Sequence, residues 1–153
     1  MEFIKGSKNL RKGRVSIAGQ YYLITTVTIN KTEVFKEKRA ADIVLNSLYW
    51  LDHQNRIDLQ AAVVMPDHLY FIARLNKGTL SGLMHSLKSY TSKQIKAKLN
   101  HTGTIWQTQY HDHAIRKDEE LKEMMIYCLQ NPVRANMVND FHDYPYWYCK
   151  FNV

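Results

Sequence analysis

The stretch "IDLQAAVVMPDHLYFIARL", Ile57 to Leu75, decides the fold. Two apolar, β-branched runs flank a Met65-Pro66-Asp67 break that is too short for a helical crossover. They therefore pair as an antiparallel hairpin or a sharply bent double strand, with Pro66 marking the turn. A strand sends successive side chains to opposite faces. His68 and Tyr70 thus share one face in the middle of an apolar run while Leu69 takes the other, and two polar groups converge on one spot.

Outward from this hairpin, "QYYLITTVTI", Gln20 to Ile29, is rich in β-branched and aromatic residues and reads as a strand. Ala40, Ile43, Val44, Ser47, Leu48 and Leu51 follow the helical i, i+3, i+4, i+7 series. Thr79 is placed to cap a second helix through "LSGLMHSLKSYTSKQIKAKL", with Leu80, Leu83, Met84 and Leu87 inward. "YHDHAIR" reads as a short strand. Asp118 is placed to cap a third helix with the stripe Leu121, Met124, Met125 and Cys128, and Pro132 biases its end near Asn131. The order β-α-β-β-α-β-α predicts an α+β fold, a ferredoxin-like sandwich with an antiparallel sheet and helices on one face.

At 153 residues and 45% hydrophobic content the chain suits one domain over 1–153, with a basic N-terminal head over about residues 1–16 and an aromatic C-terminal tail. A net charge of +7 calls for a negative partner, nucleic acid first and an anionic membrane surface second. No apolar run approaches a membrane span, and "MEFIKGSKNLRKGR" lacks a signal-peptide core, so the expected setting is cytoplasmic with no membrane. Cys128 and Cys149 are too few for a disulfide framework or a four-cysteine zinc site and read as reduced thiols.

Around the third helix, Tyr127 and Asn131 lie one turn apart on the border of the apolar stripe. An edge-of-core aromatic and a cleft residue both fall there, and Asn131 before Pro132 is also a plain helix stop. His68 alone suits a half-buried, hydrogen-bonded role as well as ligation. His111 and His113 alternate around Asp112 and read as an exposed edge, with His113 the one facing the cleft. Arg11, Lys12 and Arg14 offer a basic grip on phosphates. Trp106, Tyr110, Tyr144, Tyr146, Trp147 and Tyr148 supply either base-stacking rings or core packing. Arg116 and Arg134 suit phosphate clamps or ordinary surface ion pairs.

Taken together, "RKGRVSIAGQYYLITTVT", "AAVVMPDHLYFIARL", "GTIWQTQYHDHAIRKDEEL" and "IYCLQNPVRANMV" occur in the order that resembles the REP-associated tyrosine transposases, in the single-tyrosine branch of the HUH endonucleases. The resemblance implies an HUH-type endonuclease domain in which a histidine, a bulky apolar residue and a second histidine bind a divalent cation, while a helix tyrosine attacks DNA. His68 and Leu69 match the first two positions and Tyr127 the nucleophile; Tyr70 stands where the second histidine belongs. Because Mg²⁺ and Mn²⁺ prefer oxygen ligands, the candidate metal set is His68 and Asn131 with Tyr70 as a weak contact, and the charged and aromatic residues give a candidate DNA set of Arg11, Lys12, Arg14, Trp106, His113, Arg116 and Arg134. The implied partner is single-stranded or hairpin DNA, bound by a monomer or a homodimer. Tyr70 keeps a non-catalytic hairpin-binding protein open as the rival, and the aromatic surface a weaker RNA-binding one.

Overall fold

Met65 pairs with His68 across Pro66 and Asp67, so the decisive stretch is an antiparallel hairpin. The computed structural model describes residues 16–153. Its elements run β1 (Tyr21–Val27), α1 (Lys38–His53), β2 (Ile57–Met65), β3 (His68–Leu75), α2 (Leu80–Leu99), β4 (His111–Ile115), α3 (Asp118–Leu129), the short α4 (Asn131–Arg134) and β5 (Trp147–Cys149). The sheet order is β4-β1-β3-β2-β5, and every pairing is antiparallel. The first four strands with α1 and α2 make the expected ferredoxin-like α+β sandwich.

Alternation along the strands divides the interior into two cores. Tyr22, Ile24, Leu69, Phe71 and Ala73 face α1 and α2, where Ala40, Val44, Leu48, Leu83, Met84 and Leu87 close the layer. Leu23, Ala61, Val63, Tyr70 and Ile72 face the other way and meet Met125, Cys128 and Leu129 of α3. The two long helices share one face as expected, but the third covers the opposite face. The reason is visible in β2 and β3: Leu59 to Met65 and Leu69 to Ala73 are buried without interruption, and a strand apolar on both sides needs cover on both. Each large side chain so buried contributes roughly 1.5–3 kcal/mol.

The Thr79 side chain accepts from Gly82 N at 3.0 Å, the expected cap of α2. Asp118 is not the cap of α3: Lys117 is, without a side-chain bond. Asp118, Glu119 and Glu120 fill the first turn instead, where carboxylates complement the helix dipole. Pro132 does not simply stop α3; it sits in the first turn of α4, where its missing N–H costs nothing. The aromatic tail is a fifth strand. Val63 pairs with Trp147, Val64 N donates to Tyr146 O at 2.9 Å, and the buried Tyr144 hydroxyl donates to Val64 O at 2.6 Å.

Candidate functional site

Tyr127 lies in the last turn of α3, whose neighbouring positions Met125, Cys128 and Leu129 are buried. The helical rotation per residue turns Tyr127 outward, and it is 49% exposed. Two groups hold its ring. The Tyr70 ring of β3 lies 6.1 Å away at an interplanar angle of 45°. The Arg134 guanidinium of α4 lies over the ring, its carbon 3.7 Å from the centroid. Arg134 Nη2 also donates to the Tyr127 carbonyl at 2.7 Å, filling an acceptor left without a helical partner at the end of α3. Cys128 Sγ donates to the Tyr70 carbonyl at 3.5 Å, so α3 is pinned to β3 beside the two rings. Burial pushes the Cys128 thiol well above its ordinary range and leaves it inert.

His68 opens β3, and its Nδ1 lies 2.8 Å from Asp67 Oδ1. A carboxylate that accepts a hydrogen bond from Nδ1–H fixes the tautomer and leaves the Nε2 lone pair to face a metal ion. Tyr70, on the same strand face, is 9% exposed. Burial is the main cause that pushes its phenol well above the ordinary tyrosine range, so it stays protonated. Asn131 opens α4, and its Nδ2 donates to Cys128 O at 3.4 Å, so Oδ1 is the atom it would offer to a cation.

These donors fit a divalent cation only in part. His68 and Asn131 suit a hard, hydrated ion such as Mg²⁺ or Mn²⁺ that keeps several waters and takes phosphate oxygens. A neutral, buried phenol is a poor ligand, and among the described residues no three His, Cys, Asp or Glu side chains cluster as a protein cage requires.

The other expected residues lie elsewhere. Trp106 is not a base-stacking ring: it is 5% exposed, its Nε1 donates to Thr91 Oγ1 at 2.9 Å, and its ring packs on Phe35 at 5.0 Å. An isolated bridge between Thr28, just past β1, and Trp106 ties this segment to the end of an interior strand, and Trp106 joins the core on the α1 and α2 side. His113 faces α3, with Nε2 2.7 Å from Glu120 Oε1. Arg116 lines a groove of about 1260 Å³ between α2 and the β4 edge, with Lys96, His85 and Gln107. Most of that groove is built on the α1 and α2 side of the sheet, away from Tyr127. Arg11, Lys12 and Arg14 lie outside the described residues.

Two contacts of the candidate site go beyond the sequence expectations. Asp67 was read only as part of a turn, although an acidic residue next to the strand histidine signals an orienting carboxylate. Arg134, expected as a phosphate clamp or an ordinary surface ion pair, lies over the Tyr127 ring instead; its spacing of seven from Tyr127 does not show this, because α3 ends at Leu129 and α4 restarts at Asn131.

The family model described as transposase, IS200-like, matches residues 16–130, which include His68, Tyr70 and Tyr127. The REP-associated tyrosine transposase of Escherichia coli strain K12 is 28% identical over 94 residues, 58% of this chain and 52% of that protein. A Haemophilus influenzae protein provisionally given the same name is 28% identical over 98 residues, 56% of this chain and 55% of its own length. The matched region thus spans about half the length of these curated relatives. A solved REP-associated tyrosine transposase bound to a REP hairpin superposes with a TM-score of 0.70 at 23% identity, covering 88% of this chain and 79% of that one, a likeness of fold.

Proposed function

The chain belongs to the IS200-like transposase family, and on that premise we propose that it cleaves and rejoins single-stranded DNA at hairpin-forming palindromic repeats, with Tyr127 as nucleophile. The observation that carries this reading is the half-exposed Tyr127 ring held against Tyr70, on the strand face that also carries His68. The Tyr127 oxygen attacks a phosphodiester phosphorus and loses its proton, the bond to the 3′-oxygen breaks, and that oxygen takes up a proton as the 3′-hydroxyl. The resulting 5′-phosphotyrosine link conserves the bond for rejoining, so no nucleotide cofactor is required. A Mg²⁺ or Mn²⁺ ion bound through His68 Nε2 and Asn131 Oδ1, when present, would supply Lewis-acid polarisation of the phosphate. Asp67 orients His68, and Tyr70 backs the nucleophile ring without ligating. The setting we propose is the cytoplasm, where both thiols stay reduced. Among the described residues no helix is long and apolar enough to cross a membrane.

The test is incubation with a single-stranded DNA hairpin and Mn²⁺ followed by denaturing electrophoresis. Wild type should give a covalent protein–DNA adduct and Tyr127→Phe none. An adduct of equal yield in Tyr127→Phe removes Tyr127 from this role.

Tyr70 itself favours a second reading, a hairpin-binding protein that has lost cleavage, since a neutral phenol fills the position of the second metal ligand. Chelator-insensitive hairpin binding without nicking under any divalent ion would select it.

A further inference from the structure

We propose that Arg134 is a positioning residue for Tyr127 and not a clamp on DNA phosphate; the inference rests on the nucleophile reading of Tyr127 given above. The guanidinium makes two contacts with one residue: its carbon lies over the Tyr127 ring, 3.7 Å from the centroid, and Nη2 donates to the Tyr127 carbonyl at 2.7 Å. The first fixes the side chain and the second fixes the backbone that carries it.

A tyrosine that is 49% exposed at a helix end lacks the surrounding core that would otherwise fix its rotamer. The strand contributes the tilted Tyr70 contact at 6.1 Å. Arg134 itself is held by its place in α4: its backbone N–H donates to Gln130 O at 2.9 Å, and Pro132 anchors the short helix by being buried. The cation therefore reaches back from a fixed turn onto the ring. A planar guanidinium both stacks on an aromatic face and donates at its edge, which an ammonium cannot do at the same time. With one edge donor and its face committed to Tyr127, Arg134 sets where the nucleophilic oxygen points. Misplacing a reacting group by about 1 Å costs on the order of 100-fold in rate.

The two roles separate in single-turnover adduct formation measured across hairpin DNA concentrations for wild type, Arg134→Ala and Arg134→Lys. Positioning predicts that the rate at saturating DNA falls about 10- to 100-fold in Arg134→Ala. The half-saturating DNA concentration should stay where it is, and Arg134→Lys should recover part of the rate by keeping the cation. Weaker DNA binding with the saturated rate intact would show a phosphate clamp and overturn the proposal. So would equal rate losses in both variants that track a lowered melting temperature.

If wild type itself forms no adduct, the nucleophile reading fails, and Arg134 is then judged by NMR of ring-labelled tyrosine. The Tyr127 signals, identified by their loss in Tyr127→Phe, should shift and average in Arg134→Ala while the other tyrosine signals hold. Unmoved Tyr127 signals would overturn the proposal independently of cleavage.

Discussion

Tyr70 and Tyr127 meet ring to ring, 6.1 Å apart and tilted by 45°, so the residue that stands where the family pattern has a second histidine is a packing partner of the proposed nucleophile. Restoring imidazole there adds a neutral donor beside His68 and removes a phenol that burial keeps protonated. Tyr70→His should tighten Mn²⁺ binding by about 10- to 100-fold, the scale seen when metal-site partners change. Adduct formation should rise most at low Mn²⁺, and the gap should close as the ion is raised. Calorimetric titration and adduct yield read the two effects separately. Unchanged metal affinity would show that this strand face is not the cation site.

A complementary loss is expected at Asp67. Its carboxylate holds His68 Nδ1 at 2.8 Å, while its backbone carbonyl accepts from Thr28 N at 2.9 Å whatever the side chain. Asp67→Ala should therefore weaken Mn²⁺ binding by about 10-fold or more with little change in melting temperature. Equal metal affinity in the two proteins would mean that the carboxylate does not orient the ligand.

Trp106 belongs to stability and not to recognition. Trp106→Ala empties a site packed against Phe35 and leaves Thr91 Oγ1 without its donor, and should cost about 3–5 kcal/mol by chemical denaturation. Trp106→Phe keeps most of the volume and should cost about 1–3 kcal/mol, mainly through the lost hydrogen bond. Hairpin affinity of the Phe variant should match wild type. A large loss of affinity in a stably folded Trp106→Phe protein would return the indole to the DNA surface.

How much of this was legible follows from what each signal depends on. The hairpin, the two long helices and the Thr79 cap rest on local periodicity and turn chemistry, and the structure has each of them. The face taken by α3 depends on whether β2 and β3 are covered on one side or two. The unbroken apolar runs "AAVVM" and "FIA" carried that information, but the ferredoxin-like pattern of two helices on one face outweighed it. Trp106 differs from expectation because an aromatic in a polar segment, "GTIWQTQY", looks solvent-facing until the bridge to Thr28 ties it to the end of β1. The fifth strand, three residues long, is too short for any periodicity and exists only because the β2 edge accepts it. In the candidate site, helical spacing puts Tyr127 and Asn131 one turn apart at the border of the apolar stripe, but it fits an edge-of-core ring and a helix stop as well, and only the family resemblance points to a role in cleavage. The commitment of Arg134 to the Tyr127 ring was not legible, because it depends on how α4 restarts after Gln130.

The last expectation concerns the tail beyond α4. His142 Nδ1 lies 2.7 Å from Asp140 Oδ1, its Nε2 lies 2.8 Å from Val153 O, and its ring stacks on Phe141 at 4.0 Å. A neutral imidazole has one N–H and donates only one of these bonds; the imidazolium donates both. The Val153 carbonyl and then the Asp140 carboxylate accordingly raise the His142 pKa above its ordinary 6.5. Bonds from the His142 backbone N–H and then its ring lower that of Asp140 below 3.8. A raised imidazole pKa gives stability that is full below 6.5 and fades as pH rises through the folded-state value. A lowered carboxyl pKa gives stability that is full above 3.8 and fades as pH falls through its own. The tail should thus dock most firmly between these limits, and the backbone amides of Trp147–Cys149 should show greater exchange protection, as an opening equilibrium corrected for intrinsic rates, near about pH 5 than near about pH 8. His142→Ala should flatten that difference while leaving the amides of β1 and β3 untouched. The same pH dependence in the variant would place its origin in another group.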